Sequence, residues 1–522
     1  MKSSRVIHPF LFAIFPIVFL FLHNIAESAF VWKIAAFRLG IPILISLTVT
    51  AFTGIVLNRF LFHNAQKTGL WLSCFLFLFF SCGHVYNMIV NLAGSAILLT
   101  IAGVPVGPYK IYVAFTFGIL IAFAYFLRRT QYDFSPITRF LNLFALMLLL
   151  LSLMNVALVA QHHLRSFRSD STEPVAATET KAHLSQPVGY WPDIYYLILD
   201  AYPAAQTLQK AYGYDNQPFI TYLTQRGFSV LQNAHSNYTI TMLSLASSLN
   251  MSYINHLAAQ IKIGDDFSSS DFIIPIKMIE DNEVLRFLKS NGYKFINFSS
   301  GSPATERNSN ADWDVKCRQQ IFQDRFFEFL IETTMLAPIF RQFPQNSKRE
   351  IIECQLSGLL KIRDISHPFF AFAHILVPHE PYVFDPNGEP VSEDDQKKGH
   401  PQLYYNQIRF INMRLQPIIE TILERAEQPP IIILQGDHGF RHRPFETHQE
   451  EWFGILMAAY LPQGGHSALY DSMTPVNLFR SIFNYYFDAN FELLPDQSFF
   501  PYGEPYQYHF VNVNERLATR KF

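Results

Sequence analysis

Five apolar runs, each long enough to cross a bilayer, lie near residues 8–25, 38–58, 70–91, 110–127 and 138–160 of this 522-residue chain. About 20 apolar residues suffice for a helical span, so this part must fold in lipid. No small-residue cleavage site follows the first run and four more come after it, which reads as an anchor rather than a removed signal peptide. Lys2 and Arg5 precede the first run, Arg59 and Lys67 separate the second from the third, and Arg128, Arg129 and Arg139 separate the fourth from the fifth. The alternate loops carry only Lys33 and Arg38, and Lys110. The positive-inside rule places the N-terminus in the cytoplasm, and five spans deliver the rest of the chain to the other side. Residues 93–108 (AGSAILLTIAGVPVGP) are apolar but rich in Gly and Pro, and read as re-entrant or interfacial; a sixth span there would reverse the orientation of the C-terminal domain, against the charge asymmetry.

After the fifth run the composition turns to RSFRSDSTEPVAATETKAHLSQP, without an apolar face. This is a linker. The chain therefore divides into a transmembrane helical domain (1–162), a linker (163–188) and a larger extracytoplasmic domain (189–522). Only 16% of residues are charged, against about 25% in ordinary soluble domains, as expected when one part lies in lipid. A formal net charge of −2 and the lack of a basic stripe exclude nucleic acid as a partner class. Four cysteines are too few for a disulfide scaffold. Cys74 and Cys82 fall in an apolar run; Cys317 and Cys354 lie on the side where a disulfide is permitted, and geometry decides whether they form one.

Beyond the linker, short apolar runs alternate with helical stretches. Ile194–Leu199, Lys294–Phe298, Phe369–His374 and Ile431–Leu434 have strand length, and Phe453–Tyr460 extends the series. Helices are expected over Pro218–Gly227, Met278–Asn291, Asp324–Phe340, Leu403–Ala426 and Pro475–Phe487. Continuous apolar runs suit strands buried on both faces. The pattern predicts an α/β domain, a mostly parallel sheet with helices on both faces. In such sheets ligands gather at the carboxyl ends of the strands.

Those ends carry the chemistry. Asp200 follows IYYLIL, Asp437 and His438 sit in LQGDHGF, His374 ends FFAFAH, and His379 comes five residues later. His448 precedes the run that begins at Phe453. Singly, each has an ordinary reading: a turn or cap for the aspartates, packing for the histidines. Together they can converge on a divalent cation, Zn or Mn. Gly436 and Gly439 flank the Asp-His pair and would let the backbone turn. In SNYTITMLSLASSLN (236–250), a helix beginning near Thr241 would hold that hydroxyl at a positive helix terminus. A nearby metal would then lower its pKa. The same residues, Thr239, Thr241 or Ser244, would serve equally as a helix cap.

PDIYYLILDAYP, NYTITMLSLASSLN, HILVPHEPYVF and LQGDHGF, in this order, resemble the sulfatase-like branch of the alkaline phosphatase superfamily. With the five-span anchor, the layout resembles the lipoteichoic acid synthases and the lipid A phosphoethanolamine transferases of bacterial cell membranes. The resemblance implies a metal-bound Thr that takes a phospholipid head group and passes it to a glycan or lipid acceptor outside the cytoplasm. It assigns Asp200, Asp437 and His438 as metal ligands, Thr241 as nucleophile and ligand, and His379 as a contact to the phosphoryl group. His374 and His448 are left as a second-metal or phosphoryl contact. Two positions depart from the family pattern: Phe440 replaces an acidic residue after Asp-His-Gly, and Ser244-Leu245-Ala246 replaces Ser-Leu-Pro. Sulfatase activity itself is rejected as the leading reading, because Thr241-Met242-Leu243-Ser244-Leu245 offers neither the Cys or Ser that becomes formylglycine nor its Arg.

Two other functional classes fit the same chain. A hydrolase of the same fold would hand the intermediate to water. A non-catalytic membrane scaffold would have no need to keep Asp200, Thr241, Asp437 and His438 together. Transport is disfavoured, since His84 is the one ionisable group clearly inside a span.

Overall fold

The computed structural model describes residues 5–23, 32–93, 99–101, 104–169, 191–260, 272–317, 325–340, 348–362, 365, 367–392, 401–441, 443, 448–501 and 507–519. The chain forms two compact units. The first comprises Met1–Ala176 and Gln320–Gln345, the second Ala177–Gln319 and Asn346–Phe522.

In the first unit, helices run over His8–His23, Trp32–Leu57, Ala65–Ala93, Pro108–Arg129 and Ser135–Ser169. Four of them are long and apolar enough to cross a membrane. Large side chains such as Phe52 and Phe117 point outward, the inverse of a soluble bundle and the normal state of a lipid-facing surface. This makes the chain an integral membrane protein. Where five spans were expected, the first helix has 16 residues, a reach of about 24 Å against about 30 Å of hydrocarbon. Its Ala13 and Ile17 are buried within the unit, and His8 pairs through Nδ1 with Ser73 Oγ at 2.6 Å. The last helix runs to Ser169, past the expected linker start at 163: the chain stays helical after its apolar face ends. The Gly/Pro-rich stretch contains a short antiparallel pair, Leu99–Ile101 with Val104–Val106.

The second unit is built on a seven-stranded sheet. Its order is Ser229–Val230, Met457–Tyr460, Ile431–Gly436, Ile194–Leu199, Phe369–Ile375, Lys294–Phe298, Trp313–Val315. Met457–Tyr460 pairs antiparallel with both of its neighbours; the rest pair in parallel. The three central strands are buried along their whole length, as their unbroken apolar sequences demand. Helix Gln402–Arg425 packs Tyr404, Ile408, Ile411 and Leu415 into the same core as Leu197, Leu199 and Leu434. The single helix expected over 278–291 is two, Ile273–Glu280 and Glu283–Ser290. Asn282 makes the break, its side chain accepting from Leu285 N–H at 2.8 Å as an N-cap. The Cys317–Cys354 disulfide is formed, while Cys74 and Cys82 are free.

Register sets up the site. Leu199 lies opposite Gly436 on one side and Ile375 on the other. Asp200 and Asp437, each the next residue, therefore leave adjacent strands at one level. His374 pairs with Ile198, and side chains two apart share a face, so its imidazole projects on the same side as Asp200.

Candidate metal centre and nucleophile

Ligand atoms of Asp200, His374 and Asp437 all lie within 4.8 Å of one another, and all three residues are buried. His374 Nε2 is 3.4 Å from Asp200 Oδ2. His438 Nε2 is 3.6 Å from Asp200 Oδ1 and 3.5 Å from Asp437 Oδ2. Thr241 Oγ closes the group at 3.3 Å from His438 Nε2.

Each of these side chains is oriented by a partner on its far side. Asp437 Oδ1 accepts the backbone N–H of Ala201 and of His438, both at 3.0 Å, leaving Oδ2 toward the cluster. His438 Nδ1 donates to Gly439 O at 2.7 Å, which fixes the tautomer with the Nε2 lone pair inward. His374 Nδ1 bonds Thr305 Oγ at 2.8 Å, and Thr305 Oγ bonds Ser300 Oγ at 2.7 Å; donation from Nδ1 frees Nε2 in the same way. Asp200 is fixed through its backbone, N–H to Ile375 O at 3.0 Å and C=O from His379 N–H at 3.1 Å.

Three of the inward atoms, Asp200 Oδ1, His374 Nε2 and Asp437 Oδ2, are buried without a hydrogen-bond partner. Orphaned buried polar atoms cost about 1–3 kcal/mol each, more when charged. Three of them gathered among oriented side chains fit a divalent cation with mixed N and O donors. Burial alone would raise the Asp200 carboxyl; His379, His374 and His438 outweigh that and hold it well below the ordinary carboxylate range. Burial pushes the His438 imidazole down, against Asp437 and Asp200, which favour its charged form.

Thr241 is the first residue of helix Thr241–Leu249, so its hydroxyl stands at the positive end, as expected. Ser244, one turn on, donates to Asp437 O at 2.6 Å and ties this helix to the Asp-His-Gly turn. His379 is half-buried, its ring centre 6.3 Å from that of His438. His448 immediately precedes helix Gln449–Phe453. Phe440, at the family's acidic position, is core: its ring stacks on Tyr404 with centroids 3.8 Å apart. The two glycines serve closeness rather than turning. Neither has a left-handed backbone, but a Cβ at Gly436 would lie 2.2 Å from Tyr202 O, and one at Gly439 would lie 2.1 Å from Glu451 O.

Two cations escaped the sequence reading. Lys348 Nζ donates to the carbonyls of His379 and, at 3.2 Å, Pro381. Burial pushes its ammonium down to about 8, opposed by Asp200 and Glu380. Burial likewise lowers the Arg441 guanidinium, opposed by Asp200, Asp437 and Glu380. Arg441 follows Phe440 directly and could have been noted there; Lys348 carries no local signal.

The family model described as Sulfatase matches residues 192–481, more than half of the chain. The chain belongs to the sulfatase family, an enzyme family, and carries that domain on membrane-spanning helices. Among curated proteins, none matches the sequence. Among solved structures, the chain is similar to the C-terminal periplasmic domain of EptC from Escherichia coli in complex with Zn (13% identity, TM-score 0.41, covering 65% of this chain and 96% of that one). It is also similar to the integral membrane protein lipooligosaccharide phosphoethanolamine transferase A from Neisseria meningitidis (13% identity, TM-score 0.38, covering 93% and 96%). A third similarity is to the phosphonate monoester hydrolase of Agrobacterium radiobacter (13% identity, TM-score 0.36, covering 59% and 80%).

Proposed function

We propose that this protein is a phosphotransferase that takes a phosphorylated head group from a membrane phospholipid onto Thr241 and passes it to a glycan or lipid acceptor of the envelope. The observation that carries the reading is the set of inward, partnerless ligand atoms gathered beside a hydroxyl at a helix N-terminus. A divalent metal, zinc or manganese, held by Asp200, His374, Asp437 and His438, would neutralise phosphoryl charge and favour loss of the Thr241 proton. The rest falls to the chain. Thr241 Oγ, 3.3 Å from His438 Nε2 at the edge of the ligand set, attacks phosphorus. The bond from phosphorus to the glyceride oxygen breaks, and that oxygen leaves with a proton as diacylglycerol. The Thr241–Leu249 helix N-terminus favours the anionic group formed on Thr241. His379 contacts the phosphoryl oxygens. An acceptor hydroxyl then attacks phosphorus and restores Thr241. Tethering to the bilayer raises the effective concentration of a lipid donor, and the positive residues of the 58–67 and 128–139 loops support a catalytic unit outside the cytoplasm.

The test is head-group release from labelled phosphatidylethanolamine or phosphatidylglycerol by the full-length protein and by Thr241→Ala. The variant is expected to retain fold and metal and to lose turnover. Substantial turnover in Thr241→Ala contradicts the assignment, and label released only as free head-group phosphate moves the reading to a hydrolase.

A further inference from the structure

Residues 320–345 come from the middle of the sulfatase-type domain in sequence but belong to the membrane unit. Their described part is a helix, Arg325–Glu332, a turn, and a second short helix, Ala337–Phe340. Phe326 and Leu330 are buried in one cluster with Ile17 and Phe21 of the first helix, and the Phe21 and Phe326 rings meet edge to face at 5.3 Å. The turn is clasped to helix Ala65–Ala93 by backbone: Gly83 N–H donates to Thr333 O at 3.0 Å, and Met335 N–H donates to Phe79 O at 3.2 Å. Phe79 O and Gly83 N–H are the two groups that one helical hydrogen bond would pair. Tyr109 donates its hydroxyl to Met335 O. A Cβ at Gly83 would lie 2.2 Å from Glu332 O, so the approach requires glycine.

The contact has a definite depth. Lys67 Nζ bonds Thr130 O at 2.7 Å, which puts the start of helix Ala65–Ala93 and the end of helix Pro108–Arg129 on the same, positively charged side. Phe79 and Gly83 lie 12 and 16 residues beyond Lys67, about 18–24 Å along the axis, in the far half of a hydrocarbon layer about 30 Å thick. Tyr109, at the opposite end of its helix from Arg129, agrees. Irregular backbone at that depth must satisfy its polar groups internally, and this turn does. Thr333 N–H goes to Phe329 O, Thr334 N–H to Ile331 O, and Leu336 N–H to Thr334 Oγ. The hydroxyls of Thr333 and Thr334 fold back onto Leu330 O and Ile331 O, both at 2.7 Å. Phe329, Leu336 and Ile339 are 37%, 46% and 55% exposed on the outward face, with the exposed Glu332 beside them at the end of helix Arg325–Glu332.

We infer that residues 325–340 are a re-entrant membrane element whose Phe329, Leu336 and Ile339 face contacts phospholipid acyl chains of the outer leaflet. Continuity with the lipid-facing helices and the internally satisfied turn both point to lipid rather than to a protein partner. The Cys317–Cys354 disulfide joins the chain just before this excursion to the chain just after it. The sulfatase-type domain is thereby attached to the membrane unit through its own interior as well as through its N-terminal linker. The inference is independent of the reaction at Thr241.

The test places a photoreactive benzophenone amino acid at Phe329 or Ile339 of the full-length protein in phospholipid vesicles and reads adducts by mass spectrometry. Phe52 on a spanning helix and Tyr485 in the second unit serve as lipid-facing and water-facing references. Phospholipid adducts at 329 and 339, at yields within about threefold of Phe52 and at least tenfold above Tyr485, are expected. Yields at the Tyr485 level, or adducts to a second copy of the chain, would overturn the inference. Gly83→Leu, which breaks the clasp, is expected to reduce the yield at 339 at least fivefold with Phe52 unchanged. An unchanged yield at 339 in that variant would contradict the clasp, and Tyr109→Phe with a smaller drop at 339 covers the case in which Gly83→Leu does not fold.

Discussion

His438 Nε2 stands 3.3 Å from Thr241 Oγ while its Nδ1 donates to the carbonyl oxygen of its neighbour Gly439 at 2.7 Å. That second bond makes the first useful, because it forces the lone pair of Nε2 toward the hydroxyl and the two carboxylates behind it. The site is thus built from backbone outward. Several consequences can be measured.

Metal content should follow the inward atoms. Asp437→Asn and His374→Gln are each expected to reduce bound divalent metal in the purified full-length protein well below the wild-type stoichiometry, and activity at least a hundredfold. Thr305→Val, which removes only the partner of His374 Nδ1, should weaken metal affinity about 10–100-fold. Elemental analysis after graded chelation reads all three. Full metal retention in Asp437→Asn would remove that residue from the ligand set.

Lys348 predicts a pH dependence. Its ammonium, pushed down to about 8 by burial, holds the His379 and Pro381 carbonyls, so activity should decline as pH rises through about 8. Stability moves the other way. Between about 8 and the ordinary lysine value of about 10.4, the unfolded chain binds the proton and the native one does not, so this group makes stability rise with pH in that window. Falling activity with unchanged or rising melting temperature is the expected signature. Lys348→Arg should move the decline upward by at least one pH unit, and a profile identical to wild type would contradict the role.

Gly439→Ala is expected to destabilise the second unit by about 1–3 kcal/mol, the usual cost of overpacking. The added Cβ would meet backbone, Glu451 O at 2.1 Å, rather than a movable side chain. Thermal unfolding should show a lower midpoint, with metal binding weakened because His438 hangs on the Gly439 carbonyl. A wild-type midpoint would mean that the turn has slack.

Much of this was readable in the sequence because it depends on local pattern. Unbroken apolar runs announced the three central strands, and the residues just after them, Asp200 and Asp437, were ligand candidates by position. Thr241 was marked by the helix that begins there. What stayed hidden depends on the third dimension. Lys348 reaches the site from a helix with no motif, and Thr305 matters only because the fold lays it behind His374. Gly436 and Gly439 invited an argument about turning, whereas close backbone approach explains them. The helix expected over 324–340 was read as one more helix of the α/β domain. Its apolar face is matched by Ile17 and Phe21, some 300 residues away in sequence, which no local pattern reveals.

The most direct measurement is to incubate the full-length protein with phospholipid labelled in its head group, quench it in acid, and sequence phosphopeptides by mass spectrometry. A phosphorylated head-group adduct on Thr241, formed only when divalent metal is present and absent from His438→Ala, is the predicted result. An adduct on another residue, or metal-dependent head-group transfer with Thr241 never modified, would contradict the account.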